Sequence, residues 1–259
     1  HANIIIYDQQ PFKGGFIGVD IFFVISGYLI SSIILKELSK TKNFSYLKFY
    51  ERRIRRIIPP LLFVILVFMP FAWLYLLPDS FIDFSKSILY SLSFGSNYYF
   101  HFSGQEYAAE SAQFKPFLHT WSLAVEEQYY ILFPIILIFL FRYLKINLGK
   151  LLIVLFFVSL LFSDWSSKNY PSQTFYFIHT RIWELLAGSI MAYYEMKFGH
   201  RSKNQLLNLI LPTLGFLLII LSIIFFKTYF RHPSFYTLVP VVGVCLIIWF
   251  SNKSEFVTK

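Results

Sequence analysis

HTWSLAVEEQYYILFP, residues 119–134, opens an apolar run that reaches Phe141, yet it carries a His, a Ser and two adjacent Glu. Charge in hydrocarbon is expensive, and where it persists it faces a bundle interior or a water-filled cavity. At 100° per residue His119, Ser122, Glu126 and Tyr130 fall on one helical face, with Glu127 about a quarter turn away. Phe133 and Ile136 to Leu140 make the lower half greasy. The stretch reads as a membrane-spanning helix with a polar mouth at its N-terminal end.

The rest of the chain supports a membrane setting. Of 259 residues 56% are hydrophobic, 21% aromatic and only 14% charged, against about 25% charged in an average protein. Mean hydropathy is +0.57, which excludes an ordinary soluble domain. Apolar runs near the spanning length of about 20 residues occur at 16–35, 57–77, 119–141, 150–164, 179–195, 206–226 and 236–250. The expected fold is an all-α polytopic membrane helix bundle of seven complete spans. HANIIIY (1–7) reads as the end of a truncated first helix. The stretch 80–100 is broken by Asp83, Lys86, Gly95 and Asn97 and is expected to be re-entrant or interfacial.

The net charge of +9 encodes topology rather than nucleic-acid binding. With 36–56, 142–150, 196–205 and 251–259 on the cytoplasmic side, 16 of the 23 Lys and Arg lie there, which satisfies the positive-inside rule. Segment 36–56 is expected to be interfacial, with Pro59 and Pro60 in the first turn of the next span, where proline is tolerated. The single Cys245 permits no internal disulfide.

Several groups could carry chemistry. Glu126 and Glu127 could act as a general base or orient one. Arg52, Arg53, Arg55 and Arg56 form either a topological and anionic-lipid anchor or a clamp for a phosphorylated cytoplasmic ligand. Arg181 and Glu184 have i,i+3 spacing, suited to a self-neutralising pair or to a substrate contact. Asp20, Phe23, Gly27 and Ser31 share a face that reads as a packing seam with an interfacial acid, where Ser26 and Gly27 allow close helix approach. His179 lies near the same mouth as Arg181, whereas His101, His200 and His232 read as solvated loop residues. No spacing suggests a metal site, a phosphate loop, a dinucleotide fingerprint or a GxSxG serine hydrolase.

Five stretches in order, GGFIGVDIFFVISGYLI, FYERRIRRIIPP, SFGSNYYF, KPFLHTWSLAVEEQYYILFP and RIWELLAG, resemble the bacterial membrane acyltransferase family 3, especially its O-antigen and surface-polysaccharide O-acetyltransferase branch. They cover most of residues 14–190. The resemblance implies a multi-pass protein of the bacterial inner membrane. It implies transfer of an acyl group, by default acetyl from cytoplasmic acetyl-CoA, to a hydroxyl of a cell-surface glycan acceptor, without a metal. By the same resemblance His1 takes the position of the family's catalytic His, and Glu126 and Glu127 match its acidic pair. Arg53 and Arg56, with Arg52 beside them, match its basic pair for the CoA phosphates. His119, Trp121 and Ser122 match the motif around the acids, and Arg181, Trp183 and Glu184 match a further motif. The family's first-helix Arg would precede residue 1. The expectation is therefore a partial acyltransferase membrane domain over 1–259, without the later helices or a soluble C-terminal domain. Two other readings fit the composition: a transporter or flippase of an acyl donor or lipid-linked glycan, which would leave no covalent product, and an inactive truncated family member.

Overall fold

A computed structural model describes residues 14–41, 44–104, 115–140, 147–199, 204–226 and 230–251. Within them the chain is all helical: α1 (Ile17–Thr41), α2 (Tyr46–Tyr75), α3 (Pro78–Leu92), α4 (Ser96–Ser103), α5 (Thr120–Phe139), α6 (Leu148–Asn169), α7 (Pro171–Tyr176), α8 (Ile178–Phe198), α9 (Gln205–Phe225) and α10 (Leu238–Phe250). The helix ends follow local chemistry. Asn147 and Asn204 accept backbone N–H bonds as N-caps of α6 and α9. Pro78 opens α3. Gly199, at φ 79°, closes α8 in a conformation that favours glycine.

Five helices, α1, α2, α5, α6 and α9, are long and apolar enough to cross a membrane. The other two expected spans are α8, 21 residues long but carrying Arg181, Glu184, Glu195 and Lys197, and α10, of 13 residues. The stretch 80–100 is not one continuous helix. It divides into α3 and α4 around Phe94, whose φ of 53° breaks the helical path.

The basic segment departs from expectation. It is not separate from the next helix, because α2 runs unbroken from Tyr46 for 30 residues and places Pro59, Pro60 and Pro70 inside the helix and not in its first turn. The first two prolines remove the N–H bonds that the carbonyls of Arg55 and Arg56 would accept. Just 17% of the apolar window of α2 is buried in the bundle, against 56% for α1. The apolar flank of α2, with Phe63, Leu66, Trp73 and Leu74, therefore faces outward.

Helix α8 is the hub. It packs most extensively on α1 and α6 and also touches α5, α7 and α10. Its buried polar side chains explain why it is less apolar than most of the long helices: Arg181 and Glu184 are turned inward and paired. The expected seam on α1 is present, since Gly27 lies against the carbonyl of Leu185 and Gly188 lies against that of Val24. Backbones this close admit no β-carbon on either helix. Polar groups line the same seam. Ser31 donates to Ser189 (2.8 Å), the Tyr129 hydroxyl of α5 lies 2.6 Å from Ser189, and Tyr28 donates to Glu195.

Candidate active site

The α5 motif delivers both carboxylates to the interior. Glu126 is 2% exposed and Glu127 6%. Position 130 falls one turn below 126, so the Tyr130 hydroxyl donates to Glu126 Oε2 at 3.2 Å. Arg53 crosses from α2 to put Nε 3.3 Å from Glu127 Oε1, with its guanidinium 3.8 Å above the Tyr130 ring. Tyr50, one turn before Arg53, donates to the carbonyls of Tyr130 and Ile131 at 3.3 and 3.2 Å, which registers α2 against α5. The Oε1 atom of Glu126 is buried with no hydrogen-bond partner among the described residues.

The shared face expected for His119, Ser122, Glu126 and Tyr130 is assembled only in its lower half. His119 is exposed at the start of α5, and Ser122 donates back to its carbonyl at 3.2 Å. Neither is hydrogen-bonded to Glu126 among the described residues. Trp121 instead points inward, 1% exposed, edge-on to Phe23 and 5.3 Å from the guanidinium of Arg181. The basic cluster also divides. Arg53 is turned to Glu127, Arg52 lies 3.9 Å from Glu37 and Arg55 lies 2.7 Å from Glu51, and Arg52, Arg55 and Arg56 are exposed. His1 lies outside the described residues.

A second buried cluster joins the first turns of α1 and α8. Arg181 Nη1 lies 2.8 Å from Asp20 Oδ1, 3.2 Å from Glu184 Oε1 and 3.1 Å from His232 Nε2. Asp20, Arg181 and Glu184 are each 0% exposed. The self-neutralising Arg181–Glu184 pair thus exists, but Asp20 is the nearer partner. The sequence signal for it is the acid in the first turn of a span, read above as an interfacial acid on a packing seam.

His232 corrects the reading of that residue as solvated. Its side chain is 8% exposed, 3.2 Å from Asp20 and edge-on to Phe16. Burial first, and then the adjacent Arg181, push its imidazole well below the ordinary histidine range, so it stays neutral. His101 is likewise buried, its Nδ1 2.9 Å from Ser172 Oγ. His101, on α4, and His232, between α9 and α10, each pack on aromatic rings rather than in water. His200 lies outside the described residues.

Residues 3–259 match the family model described as an acyltransferase domain. The chain belongs to this acyltransferase family. It is similar to O-acetyltransferase OatA of Staphylococcus aureus, 35% identical over 74% of this chain and 32% of that protein. It is also similar to peptidoglycan O-acetyltransferase OatA of Listeria monocytogenes, 32% identical over 95% of this chain and 41% of that protein. The chain therefore spans less than half the length of these relatives. No solved structure matches it. Family and helices agree on a multi-pass membrane protein, and the two buried polar clusters draw residues from four of the five family-like stretches read from the sequence.

Proposed function

We propose that this chain is the membrane part of an O-acetyltransferase of the bacterial cytoplasmic membrane. It would move acetyl from acetyl-CoA, entering from the cytoplasmic side, to a hydroxyl of a cell-surface glycan. Peptidoglycan is the first acceptor to consider, since the Listeria relative is named for it. The observation that carries the reading is the pair of buried carboxylates on α5, held to Arg53 of the basic helix α2 inside an apolar bundle. Ionisable groups at such a depth are retained for chemistry far more readily than for packing.

A sugar hydroxyl is a weak nucleophile and needs a base as its oxygen attacks the thioester carbon; the C–O bond forms, the C–S bond breaks and the thiolate leaves. A positioned base contributes about 10²–10⁴-fold. On the family resemblance His1 takes the proton, and a carboxylate such as Glu126 orients it and stabilises the imidazolium. The free Oε1 of Glu126 suits that role. Arg53 fixes Glu127 and, with the exposed Arg52 and Arg56, leads from the basic face toward the carboxylates. These guanidiniums are the groups on this chain that would hold the CoA phosphates.

The test is mass spectrometry of surface glycan from cells carrying the full-length protein, its Glu126→Gln form or its His1→Ala form, with equal membrane levels verified. Acetylation is expected with the unaltered protein and a loss of about a hundredfold or more in either variant. Equal acetylation in all three would overturn the assigned roles, and none with the unaltered protein would overturn the reaction.

A further inference from the structure

The Asp20–Arg181–Glu184–His232 cluster has more carboxylate than its own pairing needs. With His232 neutral, one guanidinium faces two carboxylates in a fully buried site. One proton on the carboxylate pair would balance the charge, and a buried polar cluster of this kind is costly to keep for packing alone.

Hydrogen-bond accounting shows what is left over. Arg181 Nη1 carries two hydrogens and has three neighbours within 3.2 Å. Those hydrogens go to Asp20 Oδ1 and Glu184 Oε1. In the tautomer with hydrogen on Nε2, His232 donates to Asp20 Oδ1, 3.2 Å away, and Nδ1 is a bare acceptor. Four atoms are consequently buried without partners among the described residues: Asp20 Oδ2, Glu184 Oε2, His232 Nδ1 and Arg181 Nη2. Three of them accept and one donates. The rings of Trp121 and Phe175 flank the guanidinium at 5.3 and 5.0 Å.

We propose that this cluster is the acceptor subsite, in which hydroxyls of a neutral sugar donate to Asp20 and Glu184 and accept from Arg181. The proposal rests on the acyltransferase reading above. A phosphate or another anion is disfavoured, because it would meet two carboxylates and one cation. A hydroxyl both donates and accepts, as the unpartnered set requires. The position fits as well: the cluster sits at the start of α1 and α8, the end of the bundle opposite Arg52, Arg55 and Arg56, and positive-inside placement puts that end outside. The ring of His232, on the segment between α9 and α10, covers it, and a ligand would enter by displacing that ring.

Glu184→Gln separates binding from structure. Gln keeps an oxygen for Arg181 and leaves Asp20 and Arg181 as a matched pair, so folding should hold. The probe is a fluorescently labelled soluble peptidoglycan oligosaccharide, titrated into the full-length protein in nanodiscs. Glu184→Gln is expected to weaken its binding by roughly tenfold to a hundredfold, with acetyl-CoA affinity unchanged and the melting temperature no lower. Unchanged oligosaccharide affinity in the variant, or no binding by an unaltered protein that does transfer acetyl, would overturn the subsite. Oligosaccharide binding lost in the variant, by a protein that never transfers acetyl, would support the subsite and overturn the proposed reaction.

Discussion

Replacing Gly27 or Gly188 by Ala tests the seam that positions both polar clusters. A β-carbon on Gly27 would sit 1.9 Å from the Leu185 carbonyl oxygen, and one on Gly188 would sit 1.9 Å from that of Val24. Both obstacles are backbone, so no side chain can swing aside. Ordinary contact begins at 3.4 Å, and α1 and α8 must therefore part by about 1.5 Å. That movement takes Ser31–Ser189 and Arg181–Asp20, each 2.8 Å, beyond hydrogen-bond reach. Overpacking costs about 1–3 kcal/mol. The loosened buried bonds add about 1–3 kcal/mol. The better helix propensity of Ala returns at most about 1 kcal/mol. The net loss is about 3 kcal/mol, or roughly 6–12 °C for a chain of this size. The assay is thermal unfolding in nanodiscs, with Gly18→Ala as control, because a β-carbon there meets nothing within 4 Å. The double variant should lose less than the sum, since helices already parted accommodate the second methyl. If Gly27→Ala and Gly188→Ala melt at or above Gly18→Ala, the close-packed seam is wrong.

Three other perturbations follow from the same contacts. Arg53→Ala strands buried Glu127 and should cost about 3 kcal/mol, while adding Glu127→Gln should recover more than half of it; a double-mutant cycle in thermal unfolding reads the coupling directly. Tyr129→Phe removes one bond to Ser189 and should cost about 1 kcal/mol by the same assay, leaving the fold intact. His232 sets a pH dependence. The folded protein keeps the ring neutral, whereas the unfolded chain protonates it as pH falls through about 6.5, so this contribution to stability is complete above that value and is lost below it. Asp20 of α1 and Arg181 and Glu184 of α8 face this ring, and all three are retained in His232→Asn, so their own titration is common to both proteins. Melting temperature against pH should fall below pH 6.5 more steeply for the unaltered protein than for His232→Asn, and parallel curves would contradict the burial of a neutral ring.

What the sequence made legible was whatever lies within one helix. Glu126 and Tyr130 share a face by periodicity alone, and Gly27 announced a close approach without naming its partner. Contacts across helices were not legible, because a face has no address. Asp20 and Arg181 are 161 positions apart and Arg53 and Glu127 are 74 apart, and no local pattern couples them. The prolines misled for a related reason. Pro59 and Pro60 are good signals for a helix start, but the amphipathic stretch before them was already helical and carried the helix through. His232 and His101 depart from the solvated reading because the rings of Phe175, on α7, and Phe177, between α7 and α8, give them a buried seat.

On the proposed reading the two clusters divide the labour, and their spacing explains why neither suffices. Asp20 and Ser31 share one face of α1 and Ser26 lies about 120° round from it, so Ser26 and Ser31 lie about 9 and 17 Å below Asp20. Ser26 faces Glu126, and Ser31 faces Ser189. On that reading polar groups lead from the acceptor subsite to the α5 carboxylates and on to Arg53, with Trp121 packed against Arg181. Substitutions at the two ends should differ in kind. Glu184→Gln should raise the acceptor KM and leave transfer at saturating acceptor nearly intact, because it removes binding present before the reaction. Glu126→Gln should lower kcat and leave the acceptor KM nearly unchanged, because it removes support for a proton transfer that exists only in the transition state. Initial rates against acceptor concentration for the two variants decide it: the same parameter moved in both would mean that the clusters are one site and the division is wrong.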